Sequence, residues 1–323
     1  MSETLTTPAG FGRDPKIIAA LSVPVTRSGE IDFDGFAEDL ERTASYGIEP
    51  AVLMDTYQIN HCSKEQQLRG LEVAKTVMAG RPFTAGVYIE DESTGESIED
   101  IVAVYQKKIE LLESQYGASP IIFQTEALKH ADADTVVRVY RGMAEASRGG
   151  LKAFELSPVF APNGWMFPDD SLIDILAEEA WEGAKHSSLN PSMEWVLLQK
   201  VQKIGKRLYT GNDYDFASMM FNGSDALLGI ATFIPDKFKD LACALRTGAE
   251  QDYHKLATGM EFLGRVAFQP PVPAYKHSAA MVKKMRGWYE TDDLLPNNNF
   301  TRDDAHRMEL RDALSYLGIN LNE

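Results

Sequence analysis

Short apolar runs alternate with longer amphipathic stretches along most of the chain, and this alternation constrains the fold more than any other feature. The apolar runs lie at 17–23, 51–54, 83–88, 120–124, 151–156, 181–185, 207–211 and 226–230. The stretches between them carry apolar residues at three- to four-residue spacing, which is typical of helices packed by one face. Eight strands that are each followed by a helix match a (β/α)8 TIM barrel, so the sequence predicts this α/β fold.

The residues that begin and end helices agree with this pattern. Ser63 with Gln66 predicts a capping box, and Asp132 predicts an N-cap. Three glycines stand where helices are expected to end: Gly47, Gly80 and Gly117. An open doubly wound sheet, the alternative, usually has a glycine-rich phosphate turn after its first strand. The first strand here ends in SVPVTRSG, which is no such turn, so the barrel is favoured.

The alternation ends near residue 248, and the remaining chain has the periodicity of helices. Three helical segments are predicted, at 249–268, 273–288 and 301–318. We therefore expect three parts in the chain. They are a flexible N-terminal tail at 1–15, a barrel at 16–247 and a C-terminal helical extension at 248–323.

Composition excludes several classes of protein. The net charge of −16 argues against a nucleic-acid partner, because phosphate binding needs a basic surface. Cys62 and Cys243 are far apart, which excludes a disulfide framework and a thiolate zinc site. The polar N-terminus does not resemble a signal peptide, and no run of about 18 apolar residues predicts a membrane span. We expect a cytoplasmic protein with no membrane partner.

Lys185 is the strongest candidate for chemistry. Catalytic groups of a barrel lie at the C-terminal ends of its strands, and Lys185 closes the run 181–185. Burial there would lower the pKa of the amine and leave more of it free to attack a carbonyl carbon. The resulting iminium withdraws electrons and permits proton removal or carbon–carbon cleavage next to it. The alternative interpretation is an ordinary surface lysine.

Three segments resemble the dihydrodipicolinate synthase / N-acetylneuraminate lyase family of class I aldolases. They are ALSVPVTRSGEIDFDGFAEDLERTASYGIEPAVL, EGAKHSSLN and TGNDYDFASMMFNGSDALLGIATFIP. The first is similar to the opening strand, turn and helix of that family, and the second to the segment around its Schiff-base lysine. The third is similar to its glycine-rich last strand. The resemblance implies a Schiff base at Lys185, no other cofactor, no metal, and a homo-oligomer (dimer or tetramer).

The chain also departs from the pattern of that family. The segment MDTYQ replaces the turn that normally holds the substrate carboxylate, with Thr56 retained and Asp55 in place of a threonine. An unpaired Asp55 would repel a substrate carboxylate by about 1 kcal/mol or more. The proton-relaying tyrosine of the family is absent from FQTEALKHADAD, where Leu128 lies near its position. The dihydrodipicolinate synthase reaction itself is therefore not expected.

Other groups must then move protons and hold the substrate. Tyr57 and Glu155 are the candidate catalytic residues besides Lys185. Tyr57 is alternatively an aromatic that packs over the barrel mouth, and Glu155 a carboxylate paired with a barrel lysine. The candidate substrate-binding residues are Asp55, Thr56, Thr125, Ser157, Gly211, Asn212 and Ile230. Asn212 and Asp213 are otherwise expected to cap the next helix, and strand alternation predicts that the His186 side chain points away from the barrel interior.

The favoured hypothesis is a Schiff-base lyase or aldolase that acts on a 2-oxo acid or a related small carbonyl compound. A catalytically silent ligand-binding or regulatory barrel is the alternative, because the relay tyrosine is missing and the turn after strand 2 is altered. A metal-dependent hydrolase is a third hypothesis. It would gather Asp55, Glu90 and His186 around an ion, but no metal-ligand spacing supports it.

Overall fold

The computed structural model describes residues 9–92, 97–161 and 163–321, and within them eight parallel strands form a closed barrel. Each strand pairs with the next along the chain, and β8 pairs with β1. The strands are β1 (Ile17–Ala20), β2 (Glu49–Val52), β3 (Thr84–Val87), β4 (Ser119–Ile122), β5 (Leu151–Leu156), β6 (Trp181–Ser187), β7 (Arg207–Thr210) and β8 (Asp225–Leu228). The predicted (β/α)8 barrel is confirmed.

Helices follow the strands in the predicted order. The barrel helices are α1 (Phe33–Ser45), α2 (Lys64–Met78), α3 (Ile98–Leu111), α4 (Ala133–Ala144), α5 (Ser171–Leu176), α6 (Pro191–Lys203), α7 (Phe216–Phe221) and α8 (Pro235–Thr247). The C-terminal helices are α9 (Glu250–Ala267), α10 (Tyr275–Met285) and α11 (Asp304–Tyr316). The described residues contain no helix that is long and apolar enough to cross a bilayer.

The predicted helix signals form as expected. Ser63 and Gln66 make a reciprocal capping box at the start of α2, and Asp132 accepts a hydrogen bond from the Thr135 backbone N–H at 2.8 Å. The predicted stop glycines all have positive φ angles. Gly47 follows α1, Gly80 follows α2, and Gly117 follows the helical turn Leu112–Tyr116 that continues α3. A left-handed backbone favours glycine, so these ends are determined locally by the sequence.

Charged side chains fill the N-terminal end of the barrel. Lys152 is fully buried, and its Nζ lies 3.0 Å from Glu182 Oε2. Lys16 joins the network, with Nζ 3.0 Å from Glu182 Oε1 and 3.2 Å from Glu49 Oε2. These ion-paired side chains occupy the N-terminal end of the barrel. A binding site is therefore expected at the C-terminal ends of the strands, as is usual for barrels of this kind.

The C-terminal extension is joined to the barrel by a buried polar cluster. Lys283 on α10 pairs with Asp39 on α1, and its Nζ also donates to Thr232 Oγ1 at 2.5 Å and to Tyr289 Oη at 3.1 Å. Burial lowers the pKa of Lys283 to about 8, despite the opposing charge of Asp39. This cluster fixes α10 against the barrel, which places the first residues of α10 at the mouth.

Part of the predicted flexible tail makes contacts with the barrel. The Gly10 N–H donates to Phe221 O at 3.0 Å, and the Gly12 N–H donates to Leu245 O at 2.9 Å. The Arg13 guanidinium lies 3.4 Å from Asp225 Oδ1. Residues 1–8 of the tail lie outside the described residues.

Candidate active site

Lys185 extends from β6 into a narrow cavity at the C-terminal end of the barrel. Its side chain is 8% exposed, and its Nζ lies 4.4 Å from the centre of the Phe154 ring on the neighbouring strand β5. Burial lowers the pKa of Lys185 to about 8, although the charges of Asp213 and Asp55 act in the opposite direction. At this pKa roughly a quarter of the amine is unprotonated at pH 7.5, so it can act as a nucleophile.

The cavity is small and has both apolar and polar walls. Its free volume is about 10 Å³, which is room for about one water molecule. It is lined by Met54, Asp55, Thr56, Phe154, Leu156, Phe160, Lys185, Ser187, Gly211, Asp213, Gly229 and Tyr275. A substrate larger than water therefore enters only when some of these side chains move.

Gly211 lies beside the Lys185 side chain and leaves room for it. A Cβ atom on Gly211 would lie 2.0 Å from Ser187 Oγ and 2.8 Å from the His186 carbonyl oxygen, which is too close for real contacts, and only 3.0 Å from Lys185 Cε. Glycine is thus required by this close approach. The buried Ser187 Oγ has no hydrogen-bond partner among the described residues, although it lines the same cavity.

Asp213 is the second ionisable group beside Lys185. Its Oδ1 accepts a hydrogen bond from the Ile230 backbone N–H at 2.7 Å, and the Gly229 N–H also stabilises the carboxylate. Burial raises the pKa of Asp213 to about 7, although the nearby Lys185 charge opposes the shift. A carboxyl group with this pKa exchanges a proton near neutral pH, as acid and base catalysis requires.

The predicted helix cap at Asp213 was wrong. Its carboxylate turns to the end of β8, and α7 begins only at Phe216 with no side-chain cap from Asp215. Asn212 makes a local turn instead, because its Oδ1 accepts from the Tyr214 N–H at 3.4 Å.

Asp55 is paired, and the pairing involves the start of α10. Lys276 Nζ lies 2.9 Å from Asp55 Oδ2, and the Tyr275 hydroxyl donates to the same oxygen at 2.9 Å. The Tyr275 hydroxyl also lies 3.0 Å from Thr56 Oγ1. Thr56, Tyr275, Asp55 and Lys276 therefore form a continuous hydrogen-bonded chain from the cavity to a buried cation.

Sequence reasoning missed Tyr275 and Lys276. Tyr275 lies 220 positions from Asp55 along the chain and reaches the cavity only because α10 packs over the barrel. Its ring stacks on Phe268, with 4.4 Å between centroids, and burial raises the pKa of its hydroxyl well above the usual value. Nothing local in the segment PAYKHSAAM indicates this contact.

The structure does not bring Tyr57 to the cavity. The ring is fully buried and packs edge-on against Phe36 of α1, with 5.2 Å between centroids. Its hydroxyl points at Gly70 of α2, where an added Cβ would lie 2.4 Å away. Tyr57 thus packs between the barrel and its helices.

Glu155 also lies away from Lys185. Its carboxylate pairs with His186 Nδ1 and accepts from the Phe167 backbone N–H at 2.9 Å. Phe154 and Leu156 line the cavity, so the intervening Glu155 points to the opposite face of β5. His186 likewise points away from the interior, as predicted.

Four of the predicted substrate-binding residues are not among those that line the cavity: Thr125, Ser157, Asn212 and Ile230. Thr125 Oγ1 and Ser157 Oγ accept from backbone N–H groups two residues further on, at 3.3 Å each. The other three, Asp55, Thr56 and Gly211, line it. Among the His, Cys, Asp and Glu side chains of residues 9–92, 97–161 and 163–321, no three are grouped to hold a metal ion.

A family model described as "Protein of unknown function (DUF993)" matches residues 18–317. The chain belongs to this DUF993 family. No curated protein matches the chain in sequence. The match spans the barrel and all three C-terminal helices, so Lys185, Asp213 and Tyr275 all lie within the DUF993 region.

Solved structures with the same fold include dihydrodipicolinate synthases and their relatives. The chloride-inhibited synthase from Acinetobacter baumannii, complexed with pyruvate, is 17% identical with a TM-score of 0.75, over 95% of this chain and 100% of that chain. A prophage protein of that family from E. coli K12, in complex with pyruvate, is 14% identical with a TM-score of 0.76, over 94% and 99%. The synthase from Aquifex aeolicus is 16% identical with a TM-score of 0.75, over 96% and 100%. Because these identities are low, the comparison shows that the DUF993 chain shares the fold of these proteins and nothing more.

Proposed function

We propose that this DUF993 protein is a divergent relative of the dihydrodipicolinate synthases and a lyase or aldolase that forms a Schiff base with a small carbonyl substrate. The observation that carries the proposal is the Lys185 amine, which is buried in a cavity at the barrel mouth with its pKa lowered to about 8. The two pyruvate complexes of the same fold support a carbonyl substrate.

In the first step, the unprotonated Lys185 Nζ attacks the carbonyl carbon and forms a carbinolamine. The carbonyl oxygen then leaves as water, and its departure requires a proton. Asp213 lines the same cavity and is protonated for about half of the time near pH 7. It therefore acts as the acid in this step and is left as a carboxylate beside the positively charged iminium, which stabilises it.

In the second step, a proton or a carbon fragment leaves the carbon next to the iminium. The Thr56 and Tyr275 hydroxyls lie in the cavity and are joined to Asp55 by hydrogen bonds. We assign the relay of protons to this hydrogen-bonded chain, in which Lys276 pairs with Asp55. Because the iminium serves retro-aldol cleavage, condensation and dehydration alike, the proposal names the intermediate and leaves the reaction direction open.

Reductive trapping tests the proposal. Incubation with a panel of aldehydes, ketones and keto acids in the presence of cyanoborohydride should add the mass of the reduced carbonyl compound to the wild-type protein. Lys185→Ala should gain none. A wild-type protein that gains no mass from any member of the panel would contradict the proposal. Equal thermal stabilisation of both proteins by such ligands would then support a catalytically silent binding barrel.

A further inference from the structure

The charged groups around Lys185 bear on the kind of substrate. Of the described residues that line the cavity, the charged ones are two aspartates, Asp55 and Asp213, and Lys185 itself. Lys276 adds a further cation beside Asp55, but it already pairs with that carboxylate at 2.9 Å. A substrate carboxylate would therefore enter a cavity that has two carboxylates in its wall.

The backbone donors at the end of β8 are also occupied. The Ile230 N–H donates to Asp213 Oδ1 at 2.7 Å, and the Gly229 N–H stabilises the same carboxylate. A substrate carboxylate would have to displace Asp213 to use these N–H groups. The protein thus supplies its own anion at this position.

The charges balance when the substrate is neutral. The iminium at Lys185 and the ammonium of Lys276 give two positive charges, and the ionised Asp55 and Asp213 give two negative ones. A neutral substrate leaves the sum at zero. A 2-oxo acid adds one negative charge in a buried cavity, where an uncompensated charge is disfavoured.

The uncharged polar groups suit hydroxyl groups on the substrate. Ser187 Oγ is buried, lines the cavity and has no hydrogen-bond partner among the described residues. Such a group costs free energy unless a ligand or water satisfies it. The Thr56 and Tyr275 hydroxyls lie in the same wall, so hydroxyl groups of a substrate would find both donors and acceptors.

We propose that the substrate is a neutral hydroxylated carbonyl compound, a hydroxyaldehyde or hydroxyketone, rather than a 2-oxo acid. This inference rests on the proposed Schiff base at Lys185. Its Nζ forms the new bond to the carbonyl carbon while the carbonyl oxygen leaves as water. The remaining hydroxyl groups of the substrate contact Ser187 and Thr56.

A matched pair of ketones tests the inference. Hydroxyacetone and pyruvate share a methyl ketone and differ in a hydroxymethyl against a carboxylate group. Initial rates of cyanoborohydride trapping at Lys185 should be measured for both, each divided by the rate with free N-acetyl-lysine. We expect the normalised rate for hydroxyacetone to exceed that for pyruvate by more than about tenfold.

Removal of one negative charge should shift this preference. Asp55→Asn, which keeps the shape of the side chain, should raise the pyruvate-to-hydroxyacetone ratio about tenfold. The exposed aspartate control Asp240→Asn on α8 should leave the ratio unchanged. Asp213→Asn provides a second charge-removing variant in case Asp55→Asn does not fold.

Two results would overturn the inference while the Schiff base stands: a wild-type protein that traps pyruvate as fast as hydroxyacetone, or a pyruvate-to-hydroxyacetone ratio that is unchanged in the folded variants. A protein that traps neither ketone nor any other carbonyl compound would overturn the proposed function itself.

Discussion

Lys185 and Lys283 show what makes a lysine reactive in this molecule. Burial lowers the pKa of both to about 8. Lys283 Nζ is held by Asp39, Thr232 and Tyr289, so its amine is committed to the structure. Lys185 contacts an aromatic ring and faces a small cavity, which a carbonyl compound reaches when lining side chains move. The lowered pKa is therefore necessary for the chemistry, and the cavity decides which lysine performs it.

The pH dependence of trapping follows from the lowered pKa of Lys185. The unprotonated amine is the nucleophile and protonated Asp213 is the acid that releases water, so the initial trapping rate should rise with pH to a maximum between about pH 7 and 8 and then fall. An unshifted lysine would continue to gain rate up to about pH 10.5. Trapping rates between pH 6 and 10 measure this directly, with N-acetyl-lysine as the reference amine. A rate that still rises toward pH 10 for the protein would contradict the assignment.

Tyr275 should affect turnover more than imine formation. Tyr275→Phe removes the hydroxyl that connects Thr56 to Asp55 but keeps the ring stacked on Phe268. Since proton relay of this kind contributes about 10²–10⁴-fold, we expect a fall in kcat of at least 100-fold with trapping at Lys185 retained. Tyr316→Phe, on the exposed face of α11, is the matched control. Equal losses in the two variants would exclude a relay role for Tyr275.

At the scale of elements, the strands and helices could be predicted from local patterns, and much of the site could not. The apolar runs and helix caps predicted all eight strands and the helices that follow them, because these signals are local in the sequence. Strand alternation predicted the outward side chain of His186, and the same rule places Glu155 outward. The contact between α10 and the turn after β2 depends on tertiary packing, so Tyr275 and Lys276 had no local signal.

Glu155 on β5 is expected to stabilise the fold rather than to catalyse. Glu155→Gln weakens the buried contact with His186, so the free energy of unfolding should fall by about 2 kcal/mol. Chemical denaturation measures this loss, with the exposed Glu250→Gln on α9 as control. Trapping at Lys185 should remain within about threefold of wild type. A variant of normal stability that no longer turns over substrate would instead restore Glu155 as a catalytic candidate.

At the scale of the whole molecule, the two ends of the barrel have different roles. Ion pairs of Lys152, Lys16 and their partner glutamates fill the N-terminal end, while the C-terminal extension covers the mouth and contributes to the cavity wall. The extension is thus part of the candidate active site. Because Tyr275 and Lys276 lie on this extension, the barrel segments alone predicted Lys185 but not the complete relay.

The predicted homo-oligomer belongs to this scale as well. Apolar side chains lie exposed on the C-terminal helices, with Phe262 46% and Tyr316 64% accessible and their rings 6.3 Å apart. Exposed apolar groups of this kind favour association. Sedimentation velocity at several concentrations should give a dimer or tetramer of the 35.9 kDa chain. A monomer at every concentration would contradict the prediction.

The location of the trapped carbonyl compound tests the central claim most directly. After reductive trapping with hydroxyacetone, the protein should be digested and every lysine-containing peptide analysed by tandem mass spectrometry. The account predicts one saturable modification, on Lys185, while Lys283 and Lys152, which are fully buried, remain unmodified. Modification of Lys283 in place of Lys185, or an even spread over surface lysines, would contradict it.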